Sequence, residues 1–349
     1  MEAAERQMVV VEVVSPTNIA LVKYWGKHPR YPGLFIPTKS SISLNIASFT
    51  TRTRLTAERG PNEVRFSLNG RKVGESEEEF AYVRDFFDRI SRRYGFAKNY
   101  SYDVESRNNF PTASGFASSA SGFSALAVAF ARVVEKSGET PPLDDREVSV
   151  IARLGSGSAA RSVPSKGGLV IWHRGYDGAR DGASASAASF AESLYGPDHF
   201  AELALICVSA GGGQKKVKSR AGMDESVRTA KGYWRWVEQE ERELLPSMLR
   251  TVGKRDWAAM FGLVREASDN FHRVCLETRP PVAYLNDTSK KIVRLVGPPE
   301  QAAYTFDAGP NAVVIALKDR AKELKSALVD LVGKENVVES AVGAGPLEV

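Results

Sequence analysis

The chain has 349 residues, 43% of them hydrophobic and 26% charged, with 47 Lys and Arg against 42 Asp and Glu. That length buries a substantial core in one large domain or two moderate ones, and the composition excludes a disordered class. A formal charge of +5, evenly spread, is too mild to argue for nucleic acid and suits an anionic small molecule equally well.

The first residues, MEAAERQMVVVEVV, lack the basic start and apolar core of a secretory leader. No apolar run reaches the ~18 residues that a spanning helix needs. A soluble cytoplasmic protein with neither membrane nor nucleic-acid partner is expected. Two cysteines in apolar surroundings, Cys207 and Cys275, and four scattered histidines give no disulfide framework and no zinc spacing, so no protein-held metal is expected.

In chain order, MVVVEVV (8–14) is β-branched and reads as a first strand. SISLNIASF (41–49), TRTRLTAE (51–58) and EVRFSLNG (63–70) alternate as antiparallel strands, with turn signals at 60–62 and 69–70. Residues 77–94 space Phe80, Val83, Phe86, Phe87 and Ile90 as a helix does. A strand, YSYDVESR, then leads into SRNNFPTASGFASSASGF (106–123) and the helical run FSALAVAFARVVEK.

That serine- and glycine-rich loop is the most informative segment. Backbone N–H groups can approach phosphate oxygens where side chains are small, and a following helix N-terminus adds partial positive charge. Ser114, Ser118, Ser119 and Ser121 add hydroxyl donors, and Gly115 and Gly122 remove bulk. Ser/Gly-rich stretches are often linkers, but Phe110, Phe116 and Phe123 argue for a packed loop. It is neither a Walker A sequence nor G-x-G-x-x-G.

Residues 144–162 read as a helix ending in small residues, 167–172 as a strand, and 182–193 as a loop that closes the first half. LALICVSA opens a second set: a strand, a basic loop, helices over about 222–247 and 255–271, strands AAYTFDAG and NAVVIALK, and a helix over 319–332. Without regular βαβ alternation the class is α+β, in two lobes, 1–195 and 196–349, with ligands expected in the cleft between them.

Four more segments could line that cleft. SPTNIALVKYWGK (15–27) carries Lys23 and Lys27 around an aromatic pair, either solvated lysines beside core rings or phosphate ligands. LGSGSAARS (154–162) ends in Arg161, either a cation serving a helix C-terminus or a fork for an anion. KKVKSRAGM (215–223) is a basic loop of the kind that is often only solvated. In YTFDAGPNA (304–312), Asp307 is a turn former or, in a cation-rich cleft, an ionised carboxylate able to hold a substrate hydroxyl.

The order Pro111-x-x-x-Gly115-Phe116-Ala117-Ser118-Ser119 resembles the phosphate loop of the GHMP kinase superfamily. With NIALVKYWGK, IPTKSSISL, GSGSAARS, KKVKSRAGM and YTFDAGPNA, in that family's order from 18 to 312, the chain resembles the mevalonate diphosphate decarboxylase family.

The resemblance implies a two-lobed α+β GHMP kinase fold, with a ribosomal protein S5 domain 2-like N-terminal lobe, a ferredoxin-like C-terminal lobe and a homodimer. It implies ATP with Mg2+ as cofactors and a phosphorylated mevalonate as substrate. Asp307 matches the catalytic aspartate, Lys23 its neighbouring lysine and Arg161 the arginine that grips the substrate carboxylate. Asn18, Tyr24, Lys27, Ser219 and Arg220 match residues around the substrate, with Arg71 as a weaker candidate. Asn109, Pro111, Ser114, Gly115, Ser118, Ser119 and Ser121 match the nucleotide loop.

Two departures stand out: Lys39 occupies a position that is usually asparagine in the family, and two extra residues, with Lys166, follow Arg161-Ser162. Both add positive charge, so decarboxylation of mevalonate 3,5-bisphosphate without ATP, or of mevalonate 5-phosphate, stays open. A GHMP small-molecule kinase and a non-catalytic anion sensor are the remaining alternatives.

Overall fold

The computed structural model describes residues 8–110, 118–211 and 217–349. Its N-terminal half is built on two long strands, β1 (Met8–Val22) and β2 (Ser41–Arg59), paired antiparallel along almost their whole length. β1 alternates in burial over its first seven residues and is wholly buried over 15–22, where both of its faces are covered.

The expected pair of strands at 41–49 and 51–58 is one strand. Its continuous partner is β1, and the break that the sequence suggests is a register shift between the Pro16–Thr50 and Thr17–Ile46 pairings, a local bulge. After β3 (Val64–Leu68), β4 (Arg71–Lys72), α1 (Glu78–Arg93) and β5 (Tyr100–Asn108) come α2 (Ser118–Lys136) and α3 (Asp145–Gly155).

β6 (Leu169–Trp172), α4 (Gly182–Ala188) and β7 (Ala191–Tyr195) complete this half. The stretch expected as a loop at 182–193 therefore carries a short helix and a strand. Asp181 accepts the Ser184 N–H and Ser184 bonds back, a reciprocal cap that composition alone had hidden.

The second half opens with β8 (Leu203–Val208). The helix expected at 222–247 is α5 (Ser219–Thr229), α6 (Tyr233–Gln239), a π-turn at Glu240–Leu244 and α7 (Leu245–Gly253). α8 (Trp257–Leu276), α9 (Asp287–Leu295), β9 (Ala302–Phe306), β10 (Ala312–Leu317), α10 (Lys318–Val332), β11 (Val337–Ser340) and β12 (Leu347–Glu348) follow.

Among the described residues, eight strands form one sheet, ordered β12-β1-β2-β5-β3-β4, with β6 paired to β2 and β7 paired to β6, and four form another, ordered β11-β8-β10-β9. This is a mixed α and β fold of two domains. One core lies under α1, α2 and α3 against the N-terminal sheet. A second joins the halves, where Ile19, Leu21, Ile42 and Leu44 meet Leu205, Cys207, Met248, Phe261 and Ile315. Burying large aliphatic and aromatic groups contributes roughly 1.5–3 kcal/mol each, so this shared core fixes the halves against one another. No described helix is long and apolar enough to cross a membrane.

Candidate active site

The shared core sets the end of β1 against the end of β9. Lys23, just past β1, is only 2% exposed and directs its ammonium at three acceptors: the Ala20 carbonyl at 3.0 Å, Thr305 Oγ1 at 2.6 Å and Asp307 Oδ1 at 2.7 Å. All three ammonium protons are thereby used. Burial pulls the Lys23 pKa below its ordinary value, and the adjacent Asp307 carboxylate opposes that shift. Asp307 itself is 36% exposed, so its carboxylate faces an accessible space.

Arg161 reaches the same place from the 3-10 turn Gly157–Ser162 that follows α3. The helix expected through 162 stops at Gly155, where Ser156 turns to an extended backbone (φ −149°, ψ 127°); Gly155 and Gly157 pack so closely on Phe123 and Tyr24 that neither has room for a Cβ. The guanidinium is 2% exposed and donates to Asn18 Oδ1 at 3.2 and 3.3 Å and to Ser41 Oγ at 2.9 Å. Asn18 is fixed in turn by donating to the Ser158 carbonyl and to Ser162 Oγ. Burial lowers the Arg161 pKa to about 10, with Asp307 acting the other way. Among the described residues Arg161 makes no ion pair. A buried guanidinium held only by neutral groups attracts an anion.

The Tyr24 ring lies 4.7 Å from Trp172 and 5.9 Å from the Arg161 guanidinium, and burial raises its phenol pKa, keeping it neutral. Gly26, at φ +102°, has no room for a Cβ, which would overlap the Tyr233 hydroxyl. Lys27 lies 3.3 Å from Asp224 of α5 and over the Phe35 ring. Ser219 opens α5, and Arg220 donates to the Gly155 carbonyl at 2.7 Å while lying 3.7 Å from the Tyr82 ring centre. The N-terminus of α5 is thus held against α1 and α3, with a further Lys218–Glu78 contact.

Ser118 and Ser119 form the first turn of α2, and a line of hydroxyls runs from Ser119 Oγ to Ser156 Oγ to Ser158 Oγ, each step 3.3 Å, towards Asn18. Pro111, Ser114 and Gly115 lie outside the described residues. Ser121 turns inward, wholly buried, and its hydroxyl is engaged with Thr51 Oγ1 at 2.6 Å. Asn109 ties β5 to β2 by accepting the Thr50 N–H and donating to the Ser48 carbonyl. Arg71 is exposed and paired with Glu77, and no described contact brings it to Lys23 or Arg161.

The two extra lysines are also placed. Lys39 is 1% exposed and paired at 3.1 Å with an equally buried Glu240. Lys166 is exposed, lining a separate cavity of about 430 Å3 with Asp144, Asp145, Arg146 and Glu192. Sequence reasoning missed Ser41, Thr305 and Glu240, and also His272. That imidazole is packed among Phe271, Tyr284 and Phe306, with its pKa lowered to about 3 by burial and by the nearby Lys23 ammonium.

Among the described residues no group of His, Cys, Asp and Glu could hold a metal ion. Hydroxyls at the start of a 19-residue helix, with cations close by, fit a nucleotide polyphosphate that brings its own Mg2+, which keeps most of its ligands from phosphate and water.

Comparison with known proteins points the same way. Residues 15–188 match the diphosphomevalonate decarboxylase-like N-terminal domain, and 204–346 match the mevalonate 5-diphosphate decarboxylase C-terminal domain. The chain is 36% identical to diphosphomevalonate decarboxylase of Bos taurus over 343 residues, covering 93% of this chain and 81% of that protein. The human enzyme is 34% identical with the same coverage. The crystal structure of mevalonate diphosphate decarboxylase from Staphylococcus aureus superposes with a TM-score of 0.86 at 30% identity, covering 98% of both chains. A structure of MDDEF in complex with MVAPP, AMPPCP and magnesium superposes at 0.85, with 31% identity and 98% of this chain and 99% of that one covered.

Proposed function

The chain belongs to the diphosphomevalonate decarboxylase family, and the function we propose from that premise is ATP-dependent decarboxylation of (R)-5-diphosphomevalonate to isopentenyl diphosphate, with release of ADP, phosphate and CO2. The observation that carries the site assignment is the meeting of a half-open carboxylate, Asp307, with a buried ammonium, Lys23, beside a buried guanidinium that makes no ion pair among the described residues.

MgATP, when bound, supplies the phosphoryl group that turns the C3 hydroxyl into a leaving group. Asp307 accepts the hydroxyl proton at its free carboxylate edge, since Lys23 occupies Oδ1. Lys23, 2.7 Å from Asp307 Oδ1, places positive charge where negative charge develops. Arg161, held on its outer edge by Asn18 and Ser41, grips the substrate carboxylate so that the breaking C–C bond lines up with the departing phosphate. Ser118 and Ser119 face the nucleotide phosphates, and Tyr24, Lys27, Ser219 and Arg220 the substrate diphosphate.

Lys39 is neutralised by Glu240 and Lys166 is exposed beside a separate cavity lined by three carboxylates, so neither offers a free cation for an additional phosphate. This supports the diphosphate over the 3,5-bisphosphate. We further propose a boundary between lobes at 195/196, in the link from β7 to β8, and a cytoplasmic homodimer, which sedimentation would test. The function is tested by supplying mevalonate 5-phosphate, mevalonate 3,5-bisphosphate and diphosphomevalonate, each with and without ATP, and following CO2 and ADP. Turnover of the diphosphate only with ATP is expected; CO2 from the bisphosphate alone would reverse the assignment.

A further inference from the structure

We propose that the buried Lys39–Glu240 pair is a positioning device for Arg161, setting turnover without touching substrate; the inference rests on the decarboxylase reading above. Lys39, Ser40 and Ser41 are consecutive residues leading into β2. Lys39 Nζ lies 3.1 Å from Glu240 Oε2, both side chains 1% exposed, and 5.0 Å from the Trp236 ring centre. The Ser40 N–H and hydroxyl donate to Glu241 at 2.9 and 2.8 Å. Ser41 Oγ accepts from Arg161 at 2.9 Å.

Two neighbouring glutamates of the second half therefore hold two neighbouring residues of the first, and the next residue carries the guanidinium. Consecutive helical side chains diverge by about 100°, and the chain bends at Lys39 before the strand begins at Ser41, so each glutamate meets one of the pair. The π-turn that begins at Glu240 widens the helix at this point, a distortion common where function needs a particular side-chain direction.

Stability does not account for the pair. A buried ion pair loses most of its attraction to desolvation, and the Glu240 carboxylate accepts no conventional hydrogen bond among the described residues. What the pair does is tether the chain just before Ser41: Ser41 itself is paired with Trp172 of β6, and Lys39 and Ser40, outside the strand, are held by Glu240 and Glu241, which sets how the Ser41 hydroxyl meets Arg161. Glu240 also acts on the other cation of the site. The charged and titratable groups facing Lys23 are Asp307 after β9, Arg161 from the 3-10 turn, Glu240 from the π-turn and His272 from α8. The Glu240 charge favours the Lys23 ammonium, so its removal moves loss of that proton to lower pH.

The test uses the full chain with diphosphomevalonate and ATP, comparing Lys39→Gln, Glu240→Gln and the double variant. Each single variant is expected to lose ~10-fold or more in kcat through misplacement of Arg161, with the KM for ATP within about twofold. Glu240→Gln is also expected to shift the alkaline limb of kcat to lower pH. The double variant, with two amides that can bond to each other and no unpaired charge, regains most of the kcat while its alkaline limb stays shifted. Folded single variants with the parent kcat and alkaline limb would overturn the proposal. Where a single variant does not fold, the double variant decides: recovered kcat with a shifted limb supports the proposal, and an unshifted limb overturns it. Absence of turnover in the parent protein would instead sink the decarboxylase reading.

Discussion

Replacing Asp307 with Asn keeps the side-chain shape and removes one charge, and its two consequences separate by size. Lys23 loses a carboxylate 2.7 Å from its ammonium but keeps Ala20 and Thr305. At 4 Å a charge pair is worth about 4 kcal/mol near a protein surface, and an Asp307 side chain 36% open to solvent reduces this. The folded state should lose only about 1–2 kcal/mol at neutral pH, read from urea unfolding. Turnover should fall ~100-fold or more, because the group that takes the C3 hydroxyl proton is gone. ADP and CO2 release under saturating substrates measure this directly. Near-normal turnover in a folded Asp307→Asn protein would refute the role, as would a rate loss explained wholly by the unfolded fraction.

Arg161→Lys should lower kcat by about 10-fold or more, since a point charge cannot bond Asn18, Ser41 and a carboxylate from one plane; kinetics equal to the parent would count against carboxylate gripping. Burial holds the Lys23 pKa below 10.5, so in the interval between its folded and unfolded values the unfolded chain binds more protons. This group's contribution to stability therefore rises with pH there while turnover falls, opposite slopes that chemical unfolding and pH–rate profiles would reveal. His272, held at about 3, works in the acid range: below its ordinary 6.5 the unfolded chain takes a proton that the folded one refuses, so stability drops as pH falls. His272→Phe should remove about 3 kcal/mol of that drop by pH 4, and an unchanged acid-unfolding profile would speak against it. Gly157→Ala forces a methyl onto Tyr24 and should raise the KM for diphosphomevalonate several-fold, whereas unaltered binding by calorimetry would mean that Tyr24 has room to move.

The parts legible in the sequence were those whose chemistry shows locally. Asp307 before Gly309-Pro310, Lys23 beside the Tyr24-Trp25 pair and Arg161 after small residues could each be picked out, and Lys23 and Asp307 do meet. Ser121, Asn109 and Arg71 looked equally available, but each is engaged by a neighbour that the sequence does not reveal: Thr51, the Ser48 and Thr50 backbone, and Glu77. Thr305 passed for an ordinary β-branched strand residue, and Glu240 for one more acid in a charged helical run. Both act through contacts that span about two hundred residues or more, Lys23 to Thr305 and Lys39 to Glu240, and only the packing of one half on the other creates them. For the same reason Lys39, read as surplus charge near the substrate, is a balanced charge in a buried pair.

The most direct measurement is a crystal structure with diphosphomevalonate and a non-hydrolysable ATP analogue. The C3 hydroxyl is expected within hydrogen-bond reach, about 3 Å, of the Asp307 carboxylate, with the substrate carboxylate on Arg161. A substrate bound with its C3 hydroxyl turned away from Asp307, or with its carboxylate on other groups, would contradict it.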